Sequence, residues 1–222
     1  MSRTIALIGG TGPEGRGLAV RFALAGRDVV IGSRDAARGE SIAAELRASL
    51  EGREGLGEIS GAANADAVAQ AEIVVVTVPY EGHAATLADL ADALAGKIVV
   101  DAVVPVRFDR GPRPVEVEAG SATEEAAALL PDSRVIGAFH NLSAEILLDP
   151  DRTVHGDVLV TGGNEEAKRT VFALAEEIEG VRAVDAGPLR YSRFVEGLTI
   201  LLIGINVRHR AETHVEIFGL PE

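Results

Sequence analysis

Residues 5–15 limit the possible folds of this chain more than any other segment. An apolar run at residues 5–8 is typical of a buried strand, glycines follow at positions 10, 12 and 15, and an apolar-periodic helix comes next. In this arrangement Gly10 makes a tight turn, Gly12 lets backbone N–H groups approach a pyrophosphate, and Gly15 allows close helix packing. The segment predicts a dinucleotide site at a helix N-terminus, with a purely structural glycine-rich turn as the alternative.

The second predicted strand, at residues 28–31, ends near the position that selects the cofactor. NAD-dependent enzymes place an acid about 20 residues beyond the glycines to bind the ribose 2′-OH, whereas this chain has Ser33 and Arg34 there. A hydroxyl and a guanidinium suit a 2′-phosphate, and Arg38 supplies a second cation one turn further on. Because cations at a helix N-terminus oppose the helix dipole, we interpret them as an NADP site rather than as ordinary exposed arginines.

Charge and composition exclude several classes of function. The 222 residues include 34 acidic and 21 basic side chains, and the net charge of −13 argues against nucleic acid or an anionic membrane as a partner. The absence of cysteine excludes disulfides, thiolate catalysis and Cys-ligated metal. No apolar run reaches transmembrane length and the N-terminus reads as a strand, so we expect a cytoplasmic protein with small-molecule ligands.

Short apolar runs alternate with helical patterns along most of the chain. This alternation predicts an α/β, Rossmann-type fold: a doubly wound, mostly parallel sheet with a small helical C-terminal part. We divide it into a dinucleotide-binding domain at 1–145 and a C-terminal extension at 146–222. Strands are predicted at residues 5–8, 28–31, 58–60, 73–78, 97–101, 134–139, 157–161 and 182–185. Later helices are predicted at 36–50, 65–70, 84–94, 121–130, 165–179 and 192–207, with Ser121 and Asn164 as N-caps.

Two segments depart from this alternation. Residues 102–120 contain three prolines and two glycines, which predicts a long loop. The helix at 192–207 carries Ile and Leu on most faces, which is typical of a buried helix. In a chain of this length we expect a second subunit to cover it, so we predict a homodimer with this helix at the contact.

Ligands of an open α/β sheet lie beyond the carboxyl ends of its strands, so residues 77–83 and 139–144 should line the nicotinamide half of the site. His140 is the best-placed titratable group there, although a histidine at a strand end is more often structural than catalytic. The Tyr-x-x-x-Lys pattern of short-chain dehydrogenases is absent, Lys97 starts a strand, and Lys168 is expected on a polar helix face. No histidine spacing suits a metal, which favours hydride transfer without a proton relay.

A combination of short motifs is more specific than any one of them. The motifs are Ile8-Gly-Gly-Thr-Gly12, Gly15-Arg-Gly-Leu-Ala19, Ile31-Gly-Ser-Arg34, Val76-Thr-Val-Pro79, Val103-Val-Pro-Val106, Ala138-Phe-His140, Asp185-Ala-Gly-Pro-Leu189 and Ser192-Arg-Phe-Val-Glu-Gly-Leu198. Through them the chain resembles, nearly end to end, the NADPH-dependent reductases of the deazaflavin coenzyme F420. The resemblance implies an oxidoreductase, a homodimer that passes a hydride between C4 of the NADP nicotinamide and C5 of the deazaflavin.

The resemblance also implies binding residues but assigns no certain catalytic residue. By ligand group they are Thr11, Gly12, Pro13 and Glu14 at the pyrophosphate, Ser33, Arg34 and Arg38 at the 2′-phosphate, Val78, His83 and Ala144 near the rest of NADP, and His140 and Leu142 beside the deazaflavin. The glycine motif adds Gly10 and Gly15 to the cofactor-binding residues, and the strand-end position adds Pro79. His140 is the candidate for positioning the second ring. Gly82 reads as an insertion before His83, and the loop at 107–120 differs in length from the family pattern.

Two other functions stay open from the sequence. A reductase of the same architecture could act on a flavin, a ferric chelate or an imine, because the absence of Tyr-x-x-x-Lys does not discriminate among these acceptors. A non-catalytic module that senses NADPH and binds a partner protein is the other alternative.

Overall fold

The computed structural model describes residues 4–220, so the outermost residues of the predicted division, 1–3 and 221–222, lie outside the described part. Its strands are β1 Thr4–Ile8, β2 Asp28–Ser33, β3 Ile59–Ala63, β4 Ile73–Val76, β5 Ile98–Asp101, β6 Val106–Phe108, β7 Pro112–Pro114, β8 Arg134–Gly137, β9 Gly156–Gly162 and β10 Val181–Gly187. Its α-helices are α1 Pro13–Leu24, α2 Ala36–Ser49, α3 Asn64–Ala69, α4 His83–Leu94, α5 Ala122–Leu129, α6 Ala144–Leu148, α7 Glu165–Glu176 and α8 Ser192–His209.

Eight of these strands form one sheet in the order β10-β9-β8-β5-β4-β1-β2-β3. Every neighbouring pair from β8 to β3 is parallel, β9 runs antiparallel to β8, and β10 is parallel to β9. The prediction of a doubly wound, mostly parallel sheet is confirmed. Each of the eight strands overlaps a strand predicted from the sequence. Most were predicted because a strand covered by helices on both faces reads as a continuous apolar run, whereas β3 contains Ser60 and Gly61 and does not.

The two faces of the sheet bury separate apolar layers. In β1, Ile5 and Leu7 pack into the layer that contains α1, whereas Ala6 and Ile8 pack into the layer that contains α4. Strand order reverses between β1 and β4, which are neighbours although β2 and β3 come between them in the chain. Such a reversal opens a crevice at the carboxyl ends of the strands, where ligands of this fold class bind.

The part beyond residue 145 is not only helical. It contributes β9 and β10 to the same sheet, as well as most of α6 and the whole of α7 and α8. The sheet therefore runs through both parts of the predicted division, and the boundary at residue 145 stays a prediction.

The loop predicted at residues 102–120 contains a small β-hairpin instead. β6 and β7 pair antiparallel, with Val106 opposite Pro114 and Phe108 opposite Pro112. The prolines that suggested an irregular loop are compatible with a strand here because a two-stranded hairpin consists entirely of edge strands, where a missing N–H can be tolerated.

Within this chain helix α8 is covered on one side only, and the cover expected from a second subunit stays a prediction. Val195 and Leu202 face the protein and are buried, but Phe194, Leu201 and Val207 are 67%, 59% and 68% exposed. None of the helices formed by residues 4–220 is long and apolar enough to cross a membrane.

Both helix N-caps predicted from the sequence can be checked against the structure. The Ser121 hydroxyl accepts from the N–H of Glu124 at 3.0 Å, and the Asn164 side chain accepts from the N–H of Ala167 at 2.9 Å, so both N-caps are confirmed.

The predicted placement of Lys168 on a polar helix face is wrong. Its side chain is buried and its Nζ lies 2.8 Å from Asp185 Oδ2, since β10 packs alongside α7.

Candidate functional site

Two adjoining cavities lie at the carboxyl ends of the central strands, and together they form the candidate cleft. The larger, of about 650 Å³, lies over the ends of β1 and β2. The smaller, of about 370 Å³, lies among the ends of β4, β5 and β8 and one side of α8. Gly12, Val78 and Pro79 line both, so a ligand with two separate halves can extend from one into the other.

The glycines after β1 shape the junction of the two cavities. Gly9 takes the left-handed backbone conformation, with φ of 79°, and Gly10 closes the same tight turn by donating its N–H to the Leu7 carbonyl oxygen at 3.1 Å. A Cβ on Gly10 would lie 2.8 Å from the Leu7 carbonyl oxygen, and a Cβ on Gly15 would lie 2.5 Å from Gly10 Cα. A Cβ on Gly12 would meet only the Gly9 carbonyl oxygen, at 3.4 Å, so a ligand can approach the open backbone there.

Ser33, Arg34 and Arg38 come together on the wall of the larger cavity, which Thr11 also lines. Both arginines are exposed, and neither forms an ion pair within residues 4–220. The nearby carboxylate of Asp35 accepts from the N–H of Ala37 at 3.0 Å and caps α2. Two guanidinium groups therefore remain available for an anion at this end of the cleft.

Asn64 is a cavity residue that the sequence reasoning missed. It begins α3 after the third strand and lines the larger cavity, and its Oδ1 is buried with no hydrogen-bond partner in the described chain. A buried amide oxygen without a partner is rare, and a donor from a bound ligand would satisfy it. The available signal was its position, because Asn64 follows a strand at the same edge of the sheet.

The smaller cavity is lined largely by apolar groups. The sequence-predicted residues in it are Gly12, Pro13, Glu14, Val78, Pro79, His140, Leu142 and Ala144. Helix α8 adds residues that no sequence pattern marked, namely Thr199, Leu202, Ile203 and Asn206. Their contribution depends on how α8 packs, so only the tertiary structure reveals it.

His140 is the main basic side chain of the smaller cavity, and it is neutral. Burial lowers the pKa of His140 to about 4, against a weaker opposing effect of the Asp101 charge. Its Nε2 lies 3.5 Å from the Thr123 hydroxyl, and its Nδ1 has no partner among the described residues. The ring can position a ligand through Nδ1, but it holds no proton that it could release near neutral pH.

His83 is not brought to the cleft. It is fully buried, with Nε2 2.7 Å from Asp101 Oδ2 and Nδ1 3.0 Å from Glu125 Oε2. Burial alone would lower the pKa of His83, but the hydrogen bonds and charges of the two carboxylates outweigh burial and raise it to about 9. The other oxygen of Asp101 accepts from the N–H of Val103 at 2.8 Å, so this network supports the cavity wall from behind.

Two buried polar side chains, Arg21 and Glu196, fix the walls of the cleft. The Arg21 guanidinium of α1 donates to the carbonyl oxygens of Leu147 at 2.8 Å and Asp149 at 2.6 Å, which ties α1 to α6. The Glu196 carboxylate of α8 accepts from the N–H groups of Ala122 at 3.0 Å and Thr123 at 3.1 Å, which ties α8 to the start of α5. Within residues 4–220 no cluster of His, Asp and Glu could hold a metal ion.

Comparisons with known proteins identify a family to which this chain is similar. A family model described as "NADP oxidoreductase coenzyme F420-dependent" matches residues 4–105. The F420-dependent NADP reductase of Methanothermobacter thermautotrophicus is 41% identical over 228 residues, covering 100% of this chain and 97% of that protein. The one of Methanocaldococcus jannaschii is 39% identical over 220 residues, covering 97% of this chain and 98% of that protein.

Two further similarities are less close in sequence or in extent. A crystal structure from Arthrobacter sp. FB24, of a protein provisionally named an F420-dependent NADP reductase, superposes with a TM-score of 0.78 at 27% identity, covering 99% of this chain and 100% of that one. The rat metalloreductase STEAP3 is 33% identical over 194 residues, covering 87% of this chain but only 36% of that protein. On the full-length similarity to the archaeal reductases, the chain belongs to the family of F420-dependent NADP reductases.

Proposed function

We propose that this protein transfers a hydride between NADP(H) and the deazaflavin coenzyme F420. The observation that carries the proposal is the pair of adjoining cavities, one cationic and one largely apolar, in a chain similar over its whole length to reductases named for these two coenzymes. NADP would occupy both cavities, and the deazaflavin would enter the smaller one.

The larger cavity supplies what the adenosine half of NADP requires. Arg34 and Arg38 would bind the 2′-phosphate through charge-assisted hydrogen bonds, with the Ser33 hydroxyl beside them. The open backbone at Gly12 and the first turn of α1 would meet the pyrophosphate, with Gly10 and Gly15 holding the strand, turn and helix together. Thr11 and Pro13 complete this junction.

The smaller cavity supplies surfaces that would orient two rings. Val78 and Pro79 form one wall, Leu142 and Ala144 another, and His140 is the polar side chain that would position the second ring. A hydride needs no proton relay, so catalysis would come from proximity and alignment of two rings in a dry site. This fits a neutral His140 and the absence of a lysine among the residues that line the cavity.

A homodimer is part of the proposal. The exposed apolar side chains of α8, Phe194, Leu201 and Val207, share a helix with residues that line the smaller cavity. Apolar groups concentrated on one helix mark an interface, and a second subunit there would cover α8 and stabilise the cavity wall from outside. The cytoplasmic location expected from the sequence stays a prediction.

Hydride transfer is tested with NADPH deuterated at C4, prepared separately on each face of the ring. Deuterium should appear at C5 of the deazaflavin from one face only, without exchange with water. The same preparations are offered a free flavin and a ferric chelate, because STEAP3 is named a metalloreductase. If NADPH is oxidised by the ferric chelate or the flavin but not by the deazaflavin, the deazaflavin is not the acceptor. Loss of the label to water would contradict direct hydride transfer.

A further inference from the structure

Glu14 is a buried acid on the wall of the smaller cavity. It is the second residue of α1 and lies beside Gly12, at the junction where the two cavities meet. Its Oε1 is completely buried and has no hydrogen-bond partner within residues 4–220, although the side chain as a whole is only half-buried. Ionisation of the carboxyl is disfavoured in such a place, since no donor of the described chain compensates the buried oxygen.

No charged side chain of the neighbouring elements compensates Glu14. Arg16 of α1 pairs with Glu45 of α2 at 2.7 Å, and Glu145 of α6 is itself acidic. Across the cavity, His140 is neutral near pH 7. Burial, the only cause identified, raises the pKa of Glu14 to about 8, and the α1 dipole, which favours the charged form, is a smaller effect.

We propose that Glu14 carries its proton at neutral pH and donates it in a hydrogen bond to an acceptor oxygen of the bound dinucleotide, so that ionisation of this carboxyl weakens NADP(H) binding. A protonated carboxyl has an O–H donor, whereas a carboxylate only accepts and would repel the phosphates. The inference rests on the proposed function only in that the cleft binds NADP(H).

The sign of the pH dependence follows from linkage. If the neutral form binds the dinucleotide better, the dissociation constant is flat below about pH 7 and rises above pH 8, roughly tenfold per pH unit. Binding then takes up protons. The 2′-phosphate loses its last proton near pH 6, as phosphomonoesters do, so the ligand itself does not titrate in this window.

The test compares NADPH affinity of the wild type, Glu14→Gln and Arg34→Ala between pH 7 and 9.5, from NADPH fluorescence without deazaflavin. Glutamine keeps the shape and a donor but cannot ionise. We expect the dissociation constant of NADPH to rise about tenfold or more between pH 7 and 9.5 in the wild type and in Arg34→Ala. In Glu14→Gln it should rise much less. His83, whose pKa of about 9 falls in the same window, is present in all three proteins, so it cannot produce the difference.

Calorimetry on the wild type provides a second measurement that no variant can compromise. At pH 8, NADPH binding in two buffers of different ionisation enthalpy should show uptake of up to about half a proton per site. Any of three results would overturn the inference and leave the proposed function in place. They are a wild-type affinity that does not change with pH, the same pH dependence in the wild type and in Glu14→Gln, and binding without proton uptake. Failure of the wild type to bind NADPH at any pH would overturn both.

Discussion

At the scale of single residues, two histidines of this protein occupy opposite electrostatic environments. His140 is buried with one unpartnered ring nitrogen among the described residues, and its pKa falls to about 4. His83 is equally buried but lies between Asp101 and Glu125, and its pKa rises to about 9. Burial penalises the charged form in both, and only nearby carboxylates reverse the outcome. The neutral histidine faces the cleft and the charged one supports its wall.

Arg34 should decide the preference for NADPH. Its guanidinium is exposed, lines the larger cavity and has no ion pair among the described residues, so replacing it removes only its contact with the 2′-phosphate. Loss of one charge-assisted contact costs about 1.5–3 kcal/mol. Arg34→Ala should raise KM for NADPH roughly tenfold or more and leave KM for NADH almost unchanged. Steady-state kinetics measure this, and Arg169→Ala, at an exposed position of α7, is the control. An equal rise of KM for NADPH and NADH would contradict the prediction.

His140 should position the second ligand rather than transfer protons. Because the pKa of His140 is about 4, the ring is neutral throughout the range from pH 5 to 7. Its titration should therefore cause no change in kcat/KM of the wild type over that range. His140→Ala should weaken deazaflavin binding and retain substantial turnover, because alignment of the rings also depends on the apolar walls. Steady-state kinetics against deazaflavin concentration measure this, with His155→Ala, exposed on the surface, as control. Near-complete loss of kcat at saturating deazaflavin would show a chemical role.

At the scale of elements, buried polar contacts join parts of the chain that are far apart in sequence. Glu196 of α8 caps the N-terminus of α5, and Arg21 of α1 caps the C-terminal end of α6. Each contact satisfies backbone groups that a helix end leaves without partners. Each also fixes an element that lines the cleft, so removing the side chain should affect both stability and the site.

Removal of the Glu196 carboxylate should destabilise the fold. The variant Glu196→Ala leaves two backbone N–H groups and the Thr123 hydroxyl without their acceptor in a buried place. Each buried unsatisfied group costs about 1–3 kcal/mol, so the three groups together should cost roughly 3 kcal/mol or more. Urea unfolding measures it, with exposed Glu176→Ala as control. A change below about 0.5 kcal/mol, the range of ordinary surface substitutions, would show that water replaces the carboxylate.

His83 should make stability fall at high pH. Its folded pKa lies above the unfolded value of 6.5, so its contribution is complete below pH 6.5 and is lost as pH rises through about 9. The difference in free energy of unfolding between pH 6 and 9.5 should therefore be smaller in His83→Gln than in the wild type. Exposed His155→Gln should behave as the wild type does. The same pH dependence in all three proteins would show that His83 is not charged in the folded state.

At the scale of the whole molecule, one face of α8 lines the cleft while the other exposes large apolar side chains. Thr199 and Leu202 are buried towards the smaller cavity, whereas Phe194 and Leu201 are exposed. Assembly and ligand binding would then share one helix. An interface on the outer face would restrict the movement of α8 and hence the shape of the cavity.

Disruption of the exposed face of α8 should produce a monomer. Burying Phe194 and Leu201 against a second copy stabilises a dimer, and a charge introduced there would have to be desolvated. Sedimentation velocity at micromolar concentration should give a dimer for the wild type and a monomer for Phe194→Glu. Phe218, 86% exposed but outside α8, provides the control Phe218→Glu, which should stay dimeric. A wild-type monomer, or a dimer in Phe194→Glu, would contradict the proposed interface.

The sheet and the cofactor half of the candidate site could be predicted from the sequence alone, because both depend on patterns within short segments of the chain. Apolar runs marked most strands of the large sheet, and the glycines with Ser33, Arg34 and Arg38 sit next to strand ends, which a doubly wound sheet brings to one edge. Only the tertiary structure decided which side of α8 faces the cleft, that His83 points into the protein, and that Lys168 is buried. These outcomes depend on packing between segments that are distant in sequence, and no local periodicity encodes such contacts.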